Sequence, residues 1–335
     1  MDSTAQPTAP PVKVVALGGT VSMTPSQGAS GGVAPQLTAA DLVASVPELE
    51  QEAVLELPDV RRVPGAWLQI DEIAELAQTF NEQARSGEAA GFVVTQGTDT
   101  LEEVAFLLDL LYEGSAPVVV TGAMRNPTTA GADGPANLLA AVRTAASADA
   151  RDLGVLVVFS DEIHAARHAS KVHTTSTHAF ASPNAGPIGH VVEGRPRLHF
   201  TIRRHSALHL PFVRPATVET MEATLGSNGE LLRAVGRYVD GLVVAGFGAG
   251  HVPKTWVDPL EELAAQMPVV LSSRTGAGSV LTATYGYAGS ESDLLKRGLI
   301  DSRALGPRRA RLLLMSLLRA GASSDEIRTE FTVRT

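Results

Sequence analysis

Three apolar runs end in residues able to do chemistry. Gly18-Gly19-Thr20 closes "VKVVALGGT" (12–20), and Thr98-Asp99 closes the run that begins "GFVVTQGT" (91–98). Lys171 lies in "RHASKVHTTST" (167–177), shortly after a third run. A threonine hydroxyl is a poor nucleophile until a base removes its proton. A lysine kept partly neutral by burial can be that base, and an adjacent aspartate can orient it. Backbone N–H groups in Gly-Thr turns at helix N-termini can stabilise a developing oxyanion. Thr20, Thr98, Asp99 and Lys171 therefore read together as acyl-transfer chemistry. Plainer readings exist for each: Thr98 or Asp99 as a helix cap, Lys171 as a surface lysine. The cap is already supplied, because Thr100-Leu101-Glu102-Glu103 fits a capping box and leaves Thr98 and Asp99 surplus.

Other chemistries find little support. The nearest dinucleotide fingerprint, Gly246-Phe247-Gly248-Ala249-Gly250-His251, has histidine at its sixth position. There is no G-x-x-x-x-G-K-[ST] loop. His164 and His168 have the i, i+4 spacing of metal ligands but lack the rest of H-E-x-x-H, so hydrogen-bonded or surface histidines account for them better. The absence of cysteine excludes disulfides, thiolate metal sites and a cysteine nucleophile. No cofactor and no metal are expected. A net charge of −9, with basic clusters as short as Arg203-Arg204 and Arg308-Arg309-Arg311, argues against a nucleic-acid partner. No apolar run approaches the ~18 residues of a membrane span. "MDSTAQPTAPP" has neither a basic n-region nor an apolar h-region, so the cytoplasm is the expected compartment.

The elements that must position these groups follow from patterning. "VKVVALGGT", "GFVVTQGT", "PVVVTGAM" (117–124), "GVLVVFSDE" (154–162), "GLVVAGFGAG" (241–250) and "PVVLSSRTG" (268–276) show little alternation. That suits strands buried on both faces of a parallel sheet. Helical periodicity falls between them, at 71–86, 101–113 and 134–147, and again near 306–320 with "ARLLLMSLL". This predicts an α/β fold of two α/β domains. The larger, N-terminal one has a doubly wound, mostly parallel sheet, and the smaller, C-terminal one a parallel sheet. Expected boundaries are a flexible 1–11, a domain over 12–205, a linker at 206–215 marked by two prolines and scattered charge, and a domain over 216–335. In such sheets ligands bind at the carboxyl ends of strands where strand order reverses, which is where the Gly- and Thr-rich ends lie. The Gly/Ser/Pro-rich stretch 22–36, directly after Thr20, reads as a lid.

Several segments, in order, resemble the bacterial-type L-asparaginase/glutaminase family. They are "ALGGTVS" (16–22), "VVTQGTDTLEEVAFLLDLL" (93–111), "PVVVTGAMRNP" (117–127), "GVLVVFSDEIHAARHASKVHTTSTHAF" (154–180), "GLVVAGFGAGH" (241–251) and "SSRTGAG" (272–278). The resemblance covers roughly residues 12–320. It implies a cofactor-free amidohydrolase that converts L-asparagine to L-aspartate and ammonia. It also implies a homotetramer, a dimer of dimers, with each active site shared between two subunits. By motif, Thr20 is the threonine that attacks the side-chain amide, and Thr98 is the second catalytic threonine, activated with Lys171 and Asp99. Asp99 also matches the position that holds the substrate's α-amino group, an anion facing an ammonium. The Thr98 N–H and a water are the implied oxyanion stabilisers.

Three departures concern substrate choice. The family's lid tyrosine has no counterpart, since no tyrosine precedes Tyr112. Where the family carries serine and a Gln/Glu-type residue against the substrate's α-carboxylate and α-amino ends, a gap-free match puts Gly65 and Ala66, in "VPGAWLQI" (63–70). The neighbouring subunit's polar contact becomes His251, and the nearest match to the family's late glutamate is Glu291. Lost contacts to a bound zwitterion weaken binding by roughly 1–3 kcal/mol each. The expectation is a high KM for asparagine, or a preference for glutamine or another asparagine-like amide. A weakly active amino-acid-binding homologue is the alternative outside catalysis.

Overall fold

The computed structural model describes residues 10–19, 23–25, 33–35, 37–58, 60 and 63–334. Two compact units emerge, Met1–Ala207 and Leu208–Thr335.

In the first unit the strands are β1 (Val12–Ala16), β2 (Met23–Pro25), β3 (Val33–Pro35), β4 (Leu55–Glu56), β5 (Gly91–Thr95), β6 (Val118–Thr121), β7 (Val155–Phe159), β8 (Glu162–Ala165), β9 (Ser170–Lys171), β10 (Phe180–Ala181), β11 (Gly189–Val192) and β12 (Arg195–Leu198). Eight of them form one sheet in the order β12-β11-β8-β7-β6-β5-β1-β4. It is parallel from β4 to β7 and antiparallel from β8 onward. β1, β5, β6 and β7 are buried throughout, which is why their sequences run apolar without alternation. On one face Val12, Val14, Val93 and Val119 pack with Leu42, Leu49, Leu138 and Val142 from helices. Toward the other face Phe80, from the Ile70–Ser86 helix, stacks on Phe92 at 4.2 Å, with Tyr112 edge-on to Phe92 at 6.3 Å. Helices thus cover both faces, as the sequence predicts. The Ile70–Ser86 helix begins where the Gln69 N–H donates to Glu72 at 2.8 Å, and it stops at Gly87 in the left-handed region.

The strands stop earlier than the apolar runs that mark them. The run at 91–98 is strand only to Thr95, and its Gly-Thr tail leads into a turn at Thr98. Within 22–36, read from sequence as a lid without regular structure, β2 and β3 pair antiparallel; the remaining residues of that stretch lie outside the described ones.

The second unit carries a parallel sheet of β13 (Val218–Glu222), β14 (Gly241–Gly246), β15 (Val269–Ser273) and β16 (Ile300–Asp301), in that order. Its core joins Leu242, Val244 and Leu271 to Trp256, Leu260 and Leu294. The Pro307–Arg319 helix approaches closely at Gly241, where a Cβ would stand 2.9 Å from Leu314 Cδ2. Among the described residues no helix is long and apolar enough to cross a membrane.

Candidate active site

β1 lies between β4 and β5, both later in the chain, so strand order reverses at β1. The crevice beyond the carboxyl ends of β1 and β5 is where a doubly wound sheet binds ligands. Three backbone segments converge there. The Leu17 N–H donates to Thr95 O at 2.9 Å, and the Leu17 carbonyl accepts from Val63 N–H at 3.1 Å. Gly19, at φ +91, packs so closely that an added Cβ would stand 2.0 Å from Gly97 N. Only a residue without Cβ permits this approach and this φ together. Gly65 lies beside the same point, with Gly97 O 3.5 Å from where its Cβ would be. Thr20, which follows Gly19, lies outside the described residues.

Thr98, Asp99 and Lys171 come together. Lys171 Nζ lies 2.9 Å from Thr98 Oγ1 and 3.1 Å from Asp99 Oδ1. Thr98 is buried, the Lys171 side chain is 18% exposed, and the Asp99 side chain is 77% exposed. A hydroxyl withdrawn from water thus faces a mostly covered amine, while the carboxylate that orients the amine also opens to solvent. When neutral, the amine can accept the Thr98 proton. When protonated, it donates to both oxygens.

Thr100 corrects the sequence reading. It occupies the N-cap position of the Leu101–Leu111 helix, but its side chain makes no cap bond. Its φ of −117 and ψ of 8 lie outside the extended region from which a cap side chain reaches back to the helix N–H groups. The hydroxyl instead donates to Gly65 O at 3.0 Å, tying the 65–67 turn to the Thr98 turn. Gly65 is buried and Ala66 exposed.

In the second unit His251 and Glu291 form one network. Glu291 is fully buried; its Oε1 accepts from the Thr284 and Tyr285 N–H groups at 3.0 and 2.8 Å, and its Oε2 is 3.1 Å from His251 Nε2. Burial pushes the carboxyl pKa up, but the Tyr285, Glu291 and Thr284 N–H groups and His251 outweigh it and hold it below the usual carboxylate range. An ionised Glu291 accepts from Nε2–H, which leaves Nδ1 to accept from the Tyr287 hydroxyl at 2.9 Å. Sequence reasoning missed Tyr287. Its one signal was the pair of tyrosines in "TYGYAGSE" just before Glu291.

His164 is on strand β8 and is a hydrogen-bonded histidine, the account that the sequence reading favoured over a metal ligand. It is buried, with Nδ1 3.0 Å from Ser182 Oγ and Nε2 3.1 Å from Glu162 Oε2. No group of three metal-ligating side chains able to hold an ion occurs among the described residues. Burial lowers the His164 pKa below the ordinary 6.5, against the opposing pull of Glu162. The unfolded chain therefore binds this proton more readily, and stability is lost as pH falls through the unfolded value and on toward the folded one. His164→Asn is expected to shrink the drop in urea midpoint between pH 7.5 and 5.5 relative to the unsubstituted chain. An equal drop in both would remove His164 as its source.

Comparison with known proteins places this geometry. Residues 11–204 match the family model "Asparaginase, N-terminal", and residues 217–331 match "Glutaminase/Asparaginase C-terminal domain". A probable L-asparaginase of Deinococcus radiodurans is 37% identical over 329 residues, covering 96% of this chain and 97% of that one. A glutaminase-asparaginase of Pseudomonas fluorescens biotype A is 32% identical over 331 residues, covering 96% and 89%. The crystal structure of a probable cytoplasmic L-asparaginase from Campylobacter jejuni superposes with a TM-score of 0.84 at 30% identity, over 96% of this chain and 98% of that one. With both family models matched along nearly its whole length, and with strand ends that bring a threonine, a lysine and an aspartate into one hydrogen-bonded group, this chain belongs to the asparaginase family.

Proposed function

We propose that this chain hydrolyses the side-chain amide of L-asparagine to L-aspartate and ammonia through a threonine ester. The observation that carries this reading is the Lys171–Thr98–Asp99 group at the reversal point of an asparaginase-family sheet. Thr20 is the nucleophile, an assignment resting on the family motif. Its Oγ attacks the amide carbon, and the carbonyl oxygen, now negative, is met by the Thr98 N–H and a water. The proton lost by the Thr20 hydroxyl passes to the nitrogen, the C–N bond breaks, ammonia leaves and the acyl-threonine ester forms. Lys171, oriented by Asp99, draws the Thr98 proton toward itself, so that Thr98 can activate a water against the ester. That attack releases aspartate and restores Thr20. Asp99 also faces the substrate's ammonium, which its open side suits.

The active unit is a homotetramer in which His251 and Glu291 of a neighbouring copy complete the substrate pocket. It works in the cytoplasm, the compartment in the name of the Campylobacter jejuni relative. Gly65 and Ala66 offer the substrate no polar side chain. This supports a high KM for asparagine and a second reading in which glutamine is the better amide, as the name of the Pseudomonas fluorescens relative suggests for that protein. Ammonia release from L-asparagine and L-glutamine, measured side by side, tests both. A micromolar KM for asparagine removes the weak-binding reading. No release from either, with millimolar aspartate binding, would make the chain a binder. Thr20→Ala is expected to abolish turnover with the fold intact; activity surviving in that variant but not in Thr98→Val reverses the roles of the two threonines.

A further inference from the structure

We propose that Glu102 is a positioning residue for the Lys171–Thr98 pair, its buried carboxylate clamping the lysine backbone so that Nζ meets the hydroxyl. The inference rests on the amide-hydrolysis reading above. Lys171 does not sit in the eight-stranded sheet. It belongs to the two-residue strand β9, which pairs with only two residues of β10. A ladder this short is a weak register lock on a side chain that must end within hydrogen-bond distance of one hydroxyl. The Lys171 N–H ties the strand to the site, donating to Glu102 Oε2 at 3.1 Å across 69 residues of chain. Glu102 lies in the first turn of the Leu101–Leu111 helix, directly after Thr98, Asp99 and Thr100. One short segment therefore carries the hydroxyl, the orienting carboxylate and the clamp on the base.

The plainer account is a helix-dipole carboxylate, since acids favour the first turn of a helix. That account needs no burial, and the more exposed Glu103 beside it supplies the same charge. Glu102 is only 5% exposed, and burying a carboxylate is costly unless hydrogen bonds are gained. The lysine N–H is such a gain, and its consequence falls on proton transfer rather than on substrate contact.

The test compares Glu102→Met, Glu102→Gln and Glu102→Ala in the full-length chain. Methionine keeps the length without an acceptor; glutamine keeps a carbonyl that accepts the N–H. The Met and Ala variants are expected to lose about tenfold to a hundredfold in kcat with KM within about twofold, because a displacement of ~1 Å costs up to about a hundredfold. The Gln variant is expected to recover to within about threefold. Crystal structures of the Met or Ala variant should show Lys171 Nζ beyond about 3.5 Å from Thr98 Oγ1, outside hydrogen-bond range. If Ala prevents folding, Met and Gln carry the comparison. The proposal is overturned if kcat per folded enzyme stays unchanged while thermal stability falls, if Gln is as impaired as Met, or if Nζ keeps its place. Should the unsubstituted chain release ammonia from no amide, the functional reading fails, and the crystal structures still decide the clamp.

Discussion

Lys171→Met is expected to lower kcat for asparagine by roughly a thousandfold, within the range that a positioned acid–base group contributes. KM is expected to stay within a few-fold. Methionine fills much of the space of the lysine stem but has no nitrogen at the position 2.9 Å from Thr98 Oγ1 and 3.1 Å from Asp99 Oδ1. On the proposed mechanism the loss falls on kcat, because Lys171 would act on a proton in flight, whereas Asp99 would also meet the substrate's ammonium. Asp99→Asn should therefore raise KM as well as lower kcat. Thr98→Val should match Lys171→Met, and the double variant should be little worse than either single one, since groups acting as a unit lose their contribution together. Steady-state kinetics on the three single variants and the double variant decides this. A Lys171→Met enzyme keeping a tenth or more of its kcat, or losses that multiply in the double variant, would remove Lys171 as the base for Thr98.

Gly19→Ala is expected to have the largest structural effect of any single methyl added at the site. The new Cβ would stand 2.0 Å from Gly97 N and 2.2 Å from Gly97 Cα, on a residue at φ +91. Neither contact is the end of a flexible side chain, so β1 and β5 must part at their carboxyl ends. Left-handed strain and overpacking each cost about 1–3 kcal/mol, so a loss of about 3 kcal/mol or more is expected, together with activity. Gly97→Ala is the control: its Cβ would meet Gly19 Cα at 3.3 Å, a contact that shifts of a few tenths of an ångström relieve. Urea midpoints and ammonia release for the two variants should differ sharply. Equal stability in both would mean that the close approach of the two strand ends is not what shapes the crevice.

The sheets were legible because burial on both faces leaves a plain mark, an apolar run without alternation, at β1, β5, β6 and β7. The Gly-Thr tails were legible as the place to look, because strand ends at a reversal of order gather ligands whatever their chemistry. Local spacing misled where two structures share one pattern. Thr100 to Glu103 spells a capping box, yet the Thr100 hydroxyl turns to Gly65, 35 residues away. The β2–β3 pairing within 22–36 left no trace, since three-residue strands are too short for a period to register.

The sequence by itself determined which residue types stand at the strand ends and in what order. It determined that two glycines precede the first threonine, and that a second threonine and an aspartate precede a helix. Those are properties of neighbours along the chain, where periodicity and turn chemistry act. The tertiary structure alone decided that Lys171 reaches Thr98 across 73 residues, and that Glu102 holds the lysine backbone across 69. It alone decided that Thr100 serves Gly65, and that Tyr287, His251 and Glu291 share one line of hydrogen bonds. A hydrogen bond forms or fails within a few tenths of an ångström near 3 Å. No pattern of spacing along a chain resolves distances between segments to that degree; only the packing of the sheet and its helices does.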